Sequence, residues 1–483
     1  MAYKKGEYTV DPTGYDIKYL LLVTETHQID LTYLMSELNI HEDMYSKCIS
    51  GTIVFTDSLN LISNLPLMEG DLIKGHFVRK ETDPYVLDYD PEDLKFVFEI
   101  VKINMQEKTK QDQQVISVSF VSSTWTDNLA GRVSKSYSQM PYSDMVKDIY
   151  NKWLTRGGLR GELPVKPINT NLSDRSWNIV IPNLKPYDAI TFLSRRSFTG
   201  DAANFLFWED RDAFNYKSFS ELFNSPVVAE YSTASGEEIA DTQGEPKPEF
   251  LKNQYLNIIS MKRMGYHDIS SAALSGMISN RLIRHDIFNK RVVDHHPSGD
   301  SASNYSLESQ YDYGTEFGKL PHTDNQVQLI RAYTNDKMAS NEGAIISICP
   351  DHAWQWDDQE SFRPDQWVRQ RRGQIAQLNF VKMQITTPGN LTRKVGDKIL
   401  INVWSPEWKL KDPSDERPKK DSRFAGHYII TALRRKFTGE HFSCIMDVVR
   451  DDYVKLETDP IWEEAGSPDY GSRTSVPGGR GGV

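Results

Sequence analysis

The same ordered set of turn and strand signals occurs twice in this sequence, at two distant places. This repeat restricts the possible folds more than any other feature of the sequence. In the first copy, Gly70-Asp71 precedes a strand, the segment around Ile100 forms another, and an alternating strand begins at Val115. In the second copy, Gly396-Asp397 opens the same order, and a closing strand begins at His441. A Gly-Asp pair suits a tight turn, and the shared order is stronger evidence than either pair alone. We therefore predict two similar small β-barrels within one chain.

The middle strand of the second copy, GHYIITALRRKF, starts at Gly426 and contains Ile429, so that the span from Gly396 to Ile429 resembles in length the span from Gly70 to Ile100. The residues that mark this barrel-turn signature are Gly70, Asp71, Gly396, Asp397, Gly426 and Tyr428. We predict a structural role for all of them, and we expect no catalytic, cofactor-binding or metal-ligating residues.

The region between the two copies has a mixed character. PYSDMVKDIYNKWL places Met145, Val146 and Ile149 on one helical face, and a second helix is predicted from Pro186 to Arg196. The segment NFLFWEDRDAFNYKSF reads as a hairpin with a charged turn. These patterns predict an α+β domain.

A chain of 483 residues is too long for one ordinary core. We predict a β-rich α+β multidomain fold, with two barrels, an α+β domain between them and an inserted peripheral domain. The predicted boundaries are 1–125 for the first barrel, 126–250 for the α+β domain and a linker, 251–294 with 373–455 for the second barrel, 295–372 for the inserted domain, and 456–483 for a Gly- and Pro-rich tail.

Composition excludes several classes of protein. The formal net charge of −11 has the wrong sign for gripping nucleic acid through its phosphates, although it suits a wall past which DNA slides. Three widely spaced cysteines form no metal or disulfide pattern, and no apolar run reaches the length of a membrane span. We expect a chain that is made and folded in a cytosol, does not insert into membranes and needs no cofactor.

Several clusters could carry chemistry but have a simpler interpretation. The run from Asp294 and His295-His296 to Asp300 reads as a solvated loop, because adjacent histidines do not easily share one metal. The basic runs Arg369–Arg372 and Arg434–Lys436 read as solvated faces, with contact to DNA or an acidic partner as the alternative. The cluster of Trp354, Trp356 and Trp367 is expected to pack in a core or between chains, with sugar binding as the alternative.

The closing stretch LTRKVGDKILINVW, followed by SRFAGHYIITALRRKFTGEHFSCIMDVVR, resembles the second barrel of the contractile-tail baseplate hub proteins. That family includes the central hub of T-even-type phages, late-control D-type proteins and the hub part of type VI secretion spikes. YSKCISGTIVFTDSLNLISNLPLMEGDLIKGHF is similar to the first barrel of the family, and WNIVIPNLKPYDAITFLSRRS to its inserted α+β domain.

The resemblance implies a structural, non-enzymatic protein of the virion tail baseplate that is made in the host cytoplasm. It implies a homotrimer with pseudo-six-fold symmetry that contacts the tail tube protein, a separate spike protein and baseplate wedge proteins, with DNA only passing through its channel. Two other functions stay open from sequence alone: a cell-wall hydrolase that uses Asp and Glu pairs of the central domain, and a carbohydrate-binding tail protein.

Overall fold

The computed structural model of the chain begins with strands, then alternates helices and strands, and returns to strands. The residues it describes are 13–57, 68–79, 93–110, 113–159, 163–173, 175–200, 203–233, 255–265, 280–287, 289–295, 345–350, 381–403, 424–439 and 441–450, with a few positions between 367 and 378.

The N-terminal part is antiparallel sheet. Its strands are β1 (Tyr15–Val23), β2 (Gln28–Asp30), β3 (Met35–Asp43), β4 (Ser50–Asp57), β5 (Leu72–Arg79), β6 (Leu94–Lys110) and β7 (Gln113–Val121). Period-two patterning builds them: in β7, Ile116, Val118 and Phe120 are fully buried, and the residues between them are half-buried. The strands lie side by side in the order β3, β4, β7, β6, β5, β1 and β2.

An α+β region follows, with helices and strands alternating as the sequence predicted. Its elements are α1 (Ser123–Ala130), β8 (Val133–Met140), α2 (Tyr142–Trp153), β9 (Ile168–Thr170), β10 (Trp177–Leu184), α3 (Pro186–Ser194), β11 (Phe205–Glu209), β12 (Phe214–Ser218) and α4 (Phe219–Asn224). Met145, Val146 and Ile149 of α2 are fully buried in a core separate from that of the large sheet. In the described part of the chain, no helix has both the length and the apolar character to cross a membrane.

Helix α1 was not predicted, and its composition explains why. The side of α1 that packs inward is polar, with Ser123, Thr124, Thr126, Asp127 and Asn128 all buried. The Oδ1 atom of Asn128 accepts a hydrogen bond from the backbone N–H of Tyr187, 2.8 Å away. A helix that docks through hydrogen bonds leaves no apolar periodicity to read in the sequence.

The C-terminal part returns to strands. These are β13 (Val227–Ser232), β14 (Ser260–Gly265), β15 (Asn280–Asp286), β16 (Arg291–His295), β17 (Ile345–Pro350), β18 (Val381–Pro388), β19 (Lys398–Asn402), β20 (Gly426–Thr438) and β21 (His441–Arg450). Strands β15, β16 and β17 form a small separate sheet, and the others join the large one.

The two parts share a five-stranded unit. The first unit has the order β3-β4-β7-β6-β5, and the second unit has the order β14-β18-β21-β20-β19, with every pairing antiparallel. They differ at one end, where β1 is antiparallel to β5 but β13 is parallel to β19. The prediction of a β-rich α+β multidomain fold is confirmed, and the two regions predicted as similar small β-barrels contain these two similar five-stranded units.

The two units are connected in one sheet. Strand β3 of the first unit pairs with the second half of β20, where residues 37–43 run antiparallel to residues 432–438. We call this pairing the joint. Among the described residues, β3 pairs with β4 and β20 and not with β1, so the first unit is continued by the second rather than closed on itself. One hydrophobic core runs through both units.

Phenylalanine rings cover glycines of neighbouring strands in this core. The pairs are Gly51 with Phe120, Gly75 with Phe96 and Gly389 with Phe442. A Cβ atom added at Gly75 would lie 2.2 Å from Cζ of Phe96, so only glycine fits under that ring. Ring contacts also cross between the units, with the centroids of Phe77 and Phe437 4.7 Å apart.

Some predicted boundaries differ from the sheet assignments. Within 251–294, β14 belongs to the second unit, but β15 and β16 pair with β17, which lies in the predicted inserted domain. Strand β13, assigned to the α+β domain, pairs with β19 instead. A strand pattern indicates a strand but does not name its partner. Most of 295–372 and the tail 456–483 lie outside the described residues.

We expect Gly75→Ala to lower the free energy of unfolding by about 1–3 kcal/mol, because the methyl group would overlap the Phe96 ring. Denaturant unfolding of this variant, of Phe96→Leu and of the double variant measures the coupling. The double variant should lose less stability than the two single losses added together. Strict additivity would show that the ring does not need the glycine.

Candidate functional site: the duplicated turns and the joint

The first Gly-Asp turn is held by a set of backbone and carboxylate hydrogen bonds. Gly70 has a φ of 95°, which favours glycine. Its N–H donates to the carbonyl of Ile100 at 2.8 Å, and the N–H of Ile100 donates to the carbonyl of Asp71 at 2.8 Å. The Oδ2 atom of Asp71 accepts from the N–H of Met68 at 3.0 Å. The turn thus fastens the start of β5 to the middle of β6.

The second Gly-Asp turn repeats this set bond for bond. Gly396 has a φ of 97°. Its N–H donates to the carbonyl of Ile430 at 2.9 Å, and the N–H of Ile430 donates to the carbonyl of Asp397 at 3.0 Å. The Oδ2 atom of Asp397 accepts from the N–H of Lys394 at 3.1 Å. The counterpart of Ile100 is therefore Ile430, one residue beyond the Ile429 expected, because strand patterning does not fix a register to a single residue.

A further match lies just beyond each turn. Strand β6 has a bulge between Ile100 and Lys102, and β20 has one between Ile430 and Ala432. Bulges are specific features of a backbone rather than accidents of packing. The two units thus match around the turn and at the bulge that follows it. Further along, β6 has two more bulges, between Ile103 and Met105 and between Lys108 and Lys110, and the pairing of β20 with β21 has no counterpart to them.

Gly426 and Tyr428 lie at the start of β20. Gly426 has a φ of 143° and faces Ile401 across the sheet. Tyr428 is fully buried, and its hydroxyl donates to the carbonyl of Phe424 at 2.9 Å. The Arg450 guanidinium lies 5.1 Å from the centre of its ring. These contacts place both signature residues in the packing of the second unit.

The second turn also contacts the α+β domain. A Cβ atom at Gly396 would lie 3.3 Å from the buried Trp208 ring of β11. Lys394 forms an ion pair with Asp212 at 3.3 Å, and Lys398 donates to the carbonyl of Phe223 at 3.0 Å. The first turn lies against the same domain, since the corresponding atom at Gly70 would lie 3.2 Å from Leu159.

A buried ion pair crosses the joint. Glu42 of β3 and Arg435 of β20 are fully buried and form a direct ion pair. Burial raises the pKa of the Glu42 carboxyl, and the Arg435 guanidinium opposes that shift. The other oxygen of Glu42 accepts from the N–H of Val395, and Arg435 donates to the carbonyl of Arg393. The pair therefore links the joint to the segment that enters the second turn.

The basic run Arg434-Arg435-Lys436 thus divides between two faces, and the expectation that it forms a solvated face is wrong for Arg435. Arg434 donates to Asn39 at 2.9 Å on the outer side, where Lys436 also lies 3.7 Å from Glu37. Alternation along β3 and β20 placed charged residues on the core side of both strands. That signal in the sequence could have revealed the pair.

In the other basic run, the predicted solvated face is wrong for Arg371. Its Nη1 atom donates to the carbonyls of Ser194, Ala203 and Phe205 at 3.0–3.1 Å. Burial lowers the pKa of this guanidinium to about 10. Arg371 therefore binds backbone of the α+β domain rather than a phosphate.

Two adjacent buried carboxylates of the α+β domain, Glu209 and Asp210, form hydrogen bonds and an ion pair within the protein. Glu209 accepts from the N–H of Ile49 at 2.9 Å and the hydroxyl of Ser122 at 3.0 Å, and pairs with Lys166 at 2.8 Å. Its neighbour Asp210 accepts from the side-chain amide of Asn215 at 2.7 Å. Both are buried, so neither faces a space where a glycan could bind.

The other clusters singled out in the sequence fall partly beyond the described residues. Trp367 packs against the α+β core, while Trp354 and Trp356 lie outside those residues. Strand β16 ends at His295, and His296 and Asp300 lie outside as well. Within the part that the structure describes, no three His, Cys, Asp or Glu side chains are grouped to hold a metal ion.

Comparison with known proteins gives likenesses of fold only. No family model matches the chain, and no curated protein matches it in sequence. A tail protein from Neisseria meningitidis MC58 is similar in structure, with a TM-score of 0.47 and 11% identity over 93% of this chain and 98% of that one. The 43 kDa tail protein of prophage MuSo2 from Shewanella oneidensis has a TM-score of 0.46 and 10% identity, over 91% and 100%. An Escherichia coli component of the type VI secretion system has a TM-score of 0.39 and 8% identity, over 90% and 76%.

We expect Gly396→Ala to destabilise the protein more than Gly439→Ala does. Both glycines have positive φ, so each alanine costs about 1–2 kcal/mol of backbone strain. Only at Gly396 does the new Cβ also press on a buried ring. Adding Asp397→Ala should deepen the loss, because the N–H of Lys394 loses its acceptor. Denaturant midpoints rank the variants, and equal losses at Gly396 and Gly439 would contradict the packing role of this turn.

We expect Glu42→Gln or Arg435→Met alone to cost about 3–5 kcal/mol, because each leaves a buried group without its charged partner. The double variant Glu42→Leu with Arg435→Met should recover much of that loss. The matched control is Lys436→Met, which removes a more exposed pair with Glu37 and should cost about 0–1 kcal/mol. Thermal unfolding of all four variants compares the two sides of β20.

Proposed function

We propose that this chain is the central hub of a contractile phage tail baseplate, working as a homotrimer with pseudo-six-fold symmetry. The observation that carries the proposal is the duplicated unit, repeated in strand order, turn hydrogen bonds and bulge position within one chain. The sequence resemblance to hub proteins, which spans both units and the α+β domain, supports it independently.

The duplication explains how one chain can serve two symmetries. A six-fold tail tube presents equal surfaces six times, and a three-fold spike presents its own three times. Closed rings of identical chains are the usual form of soluble assemblies. Three chains with two units each match the tube, while the α+β domain occurs once per chain and reduces the symmetry to three-fold at the spike.

The role we propose is mechanical and needs no cofactor. The hub adapts the tail tube protein to a separate spike protein, contacts baseplate wedge proteins from its outer parts, and lines a channel through which DNA leaves the virion. A net charge of −11 favours a wall that does not bind the DNA phosphates. The strand pairing at the joint and the buried Glu42–Arg435 pair suit a part that transmits force between the units.

We expect light scattering at micromolar concentration to give three times the 55.4 kDa mass of one chain. Electron-microscope averages viewed down the axis should show six similar density lobes around a central channel, with three additional lobes further out. The lobes follow from two units and one α+β domain per chain. A discrete dimer, or a ring in which the two units do not alternate around one axis, would contradict the proposed hub.

A further inference from the structure

Strand β6 has an unpaired stretch along one of its two edges. Its first half, Leu94–Glu99, pairs with β5 on one side. Its second half, Lys102–Lys110, pairs with β7, and no described strand lies on its other side. In the second unit the equivalent half of β20 is the half that pairs with β3 in the joint. The first unit therefore presents, on β6, the edge that the second unit already uses.

Strand β14 presents the complementary edge. It occupies in the second unit the place that β3 occupies in the first, next to β18 as β3 lies next to β4. The outer side of β3 forms the joint, whereas β14 has no described strand on that side. An open edge is a template for pairing with another chain. The large sheet thus carries one half of a joint on β6 and the other half on β14.

The equivalence of the units fixes a register for these edges. Counted along the partner strands, Val115 of β7 corresponds to Ser443 of β21, so Glu107, which pairs with Val115, corresponds to Lys436, which pairs with Ser443. Strand β6 reaches this position with one extra residue, at its bulge between Ile103 and Met105. Lys262 pairs with Gln384 as Asn39 pairs with Thr52. In the joint, Lys436 lies directly opposite Asn39. The same geometry places Glu107 directly opposite Lys262.

We infer that β14 of one chain pairs antiparallel with Lys102–Lys110 of β6 in a second copy, in the register of the internal joint. This inference rests on the proposed trimeric hub and assigns its contact between chains. When this contact repeats around a ring, the second unit of each chain pairs with the first unit of the next chain. Every unit then contacts both of its neighbours through the same kind of strand pairing. Closure of the ring then leaves neither edge exposed.

Charge favours this partner. Glu107 and Lys262 are both exposed in the single chain, and the register brings these opposite charges face to face. Opposite charges directly across an antiparallel pair stabilise it, while like charges destabilise it. The internal joint also has an ion pair on its outer side, between Lys436 and Glu37. There the base lies on β20, the counterpart of β6, and the acid lies on β3, the counterpart of β14.

Cysteine cross-linking tests the register. Directly opposed residues have Cβ atoms about 4.5–5.5 Å apart, within reach of a disulfide or a short bis-maleimide. Glu107→Cys with Lys262→Cys should link chains to one another, with covalent species of up to three chains on a non-reducing gel. Each single variant should give none and controls for the native cysteines. Asn39→Cys with Lys436→Cys, at the equivalent positions of the joint, should link within one chain and calibrates the reaction.

The possible outcomes separate this contact from the proposed function. If the mass is trimeric and the control pair reacts, but no cross-links form between chains, the proposed strand pairing is overturned and the trimeric hub stands. Linked chains in a dimer or in an unlimited ladder support the pairing and overturn the trimeric hub. A link between the two introduced cysteines within one monomer overturns both, because another part of the same chain then brings these edges together.

Charge exchange provides a second readout. Glu107→Lys and Lys262→Glu should each weaken association, by roughly threefold per contact, because each places like charges opposite one another. The double variant should regain the trimer at the original concentration. Glu221→Lys changes an exposed acid on α4, which belongs to neither edge strand; it is the matched control and should leave association unchanged. Failure of the double variant to recover would overturn the assigned register.

Discussion

The pairing of β3 with β20 is the contact on which the rest of this structure depends. It turns two units into one sheet, and it places a fully buried Glu42–Arg435 pair where the strands meet. Desolvating two charges is expensive, and the expense is recovered only with good geometry and further hydrogen bonds. Those bonds go to the segment before Gly396, so the same pair fixes both the neighbouring unit and the entry to a turn.

Around this contact the core is organised by aromatic rings rather than by aliphatic packing alone. Glycines at positions 51, 75 and 389 leave room for rings from adjacent strands, and the contact between Phe77 and Phe437 carries this arrangement from one unit to the other. Large rigid rings bury much surface and have few alternative positions. Rings from both units are therefore part of one core.

The sequence predicted the parts whose signals are local. Alternation predicted the strand at Val115, helical spacing predicted the helix with Ile149, and the repeated Gly-Asp turns predicted the duplication. Helix α1 was missed because its buried side is polar, and the partner of β13 was missed because a strand pattern does not identify its neighbour. The buried Glu42–Arg435 pair needed two strands to be compared on their core sides, and neither strand shows it by itself.

The distance along the chain between the two halves of the joint has a consequence for biosynthesis. Glu42 and Arg435 are 393 positions apart, so β3 leaves the ribosome long before β20 exists. Until then, the nascent chain carries an unsatisfied strand edge and an uncompensated acid on the core side of β3. Contacts this remote in sequence form late and slowly, and exposed edges invite misassembly in the interval. Completion of the C-terminal strands is therefore the event that commits the N-terminal half to its native form.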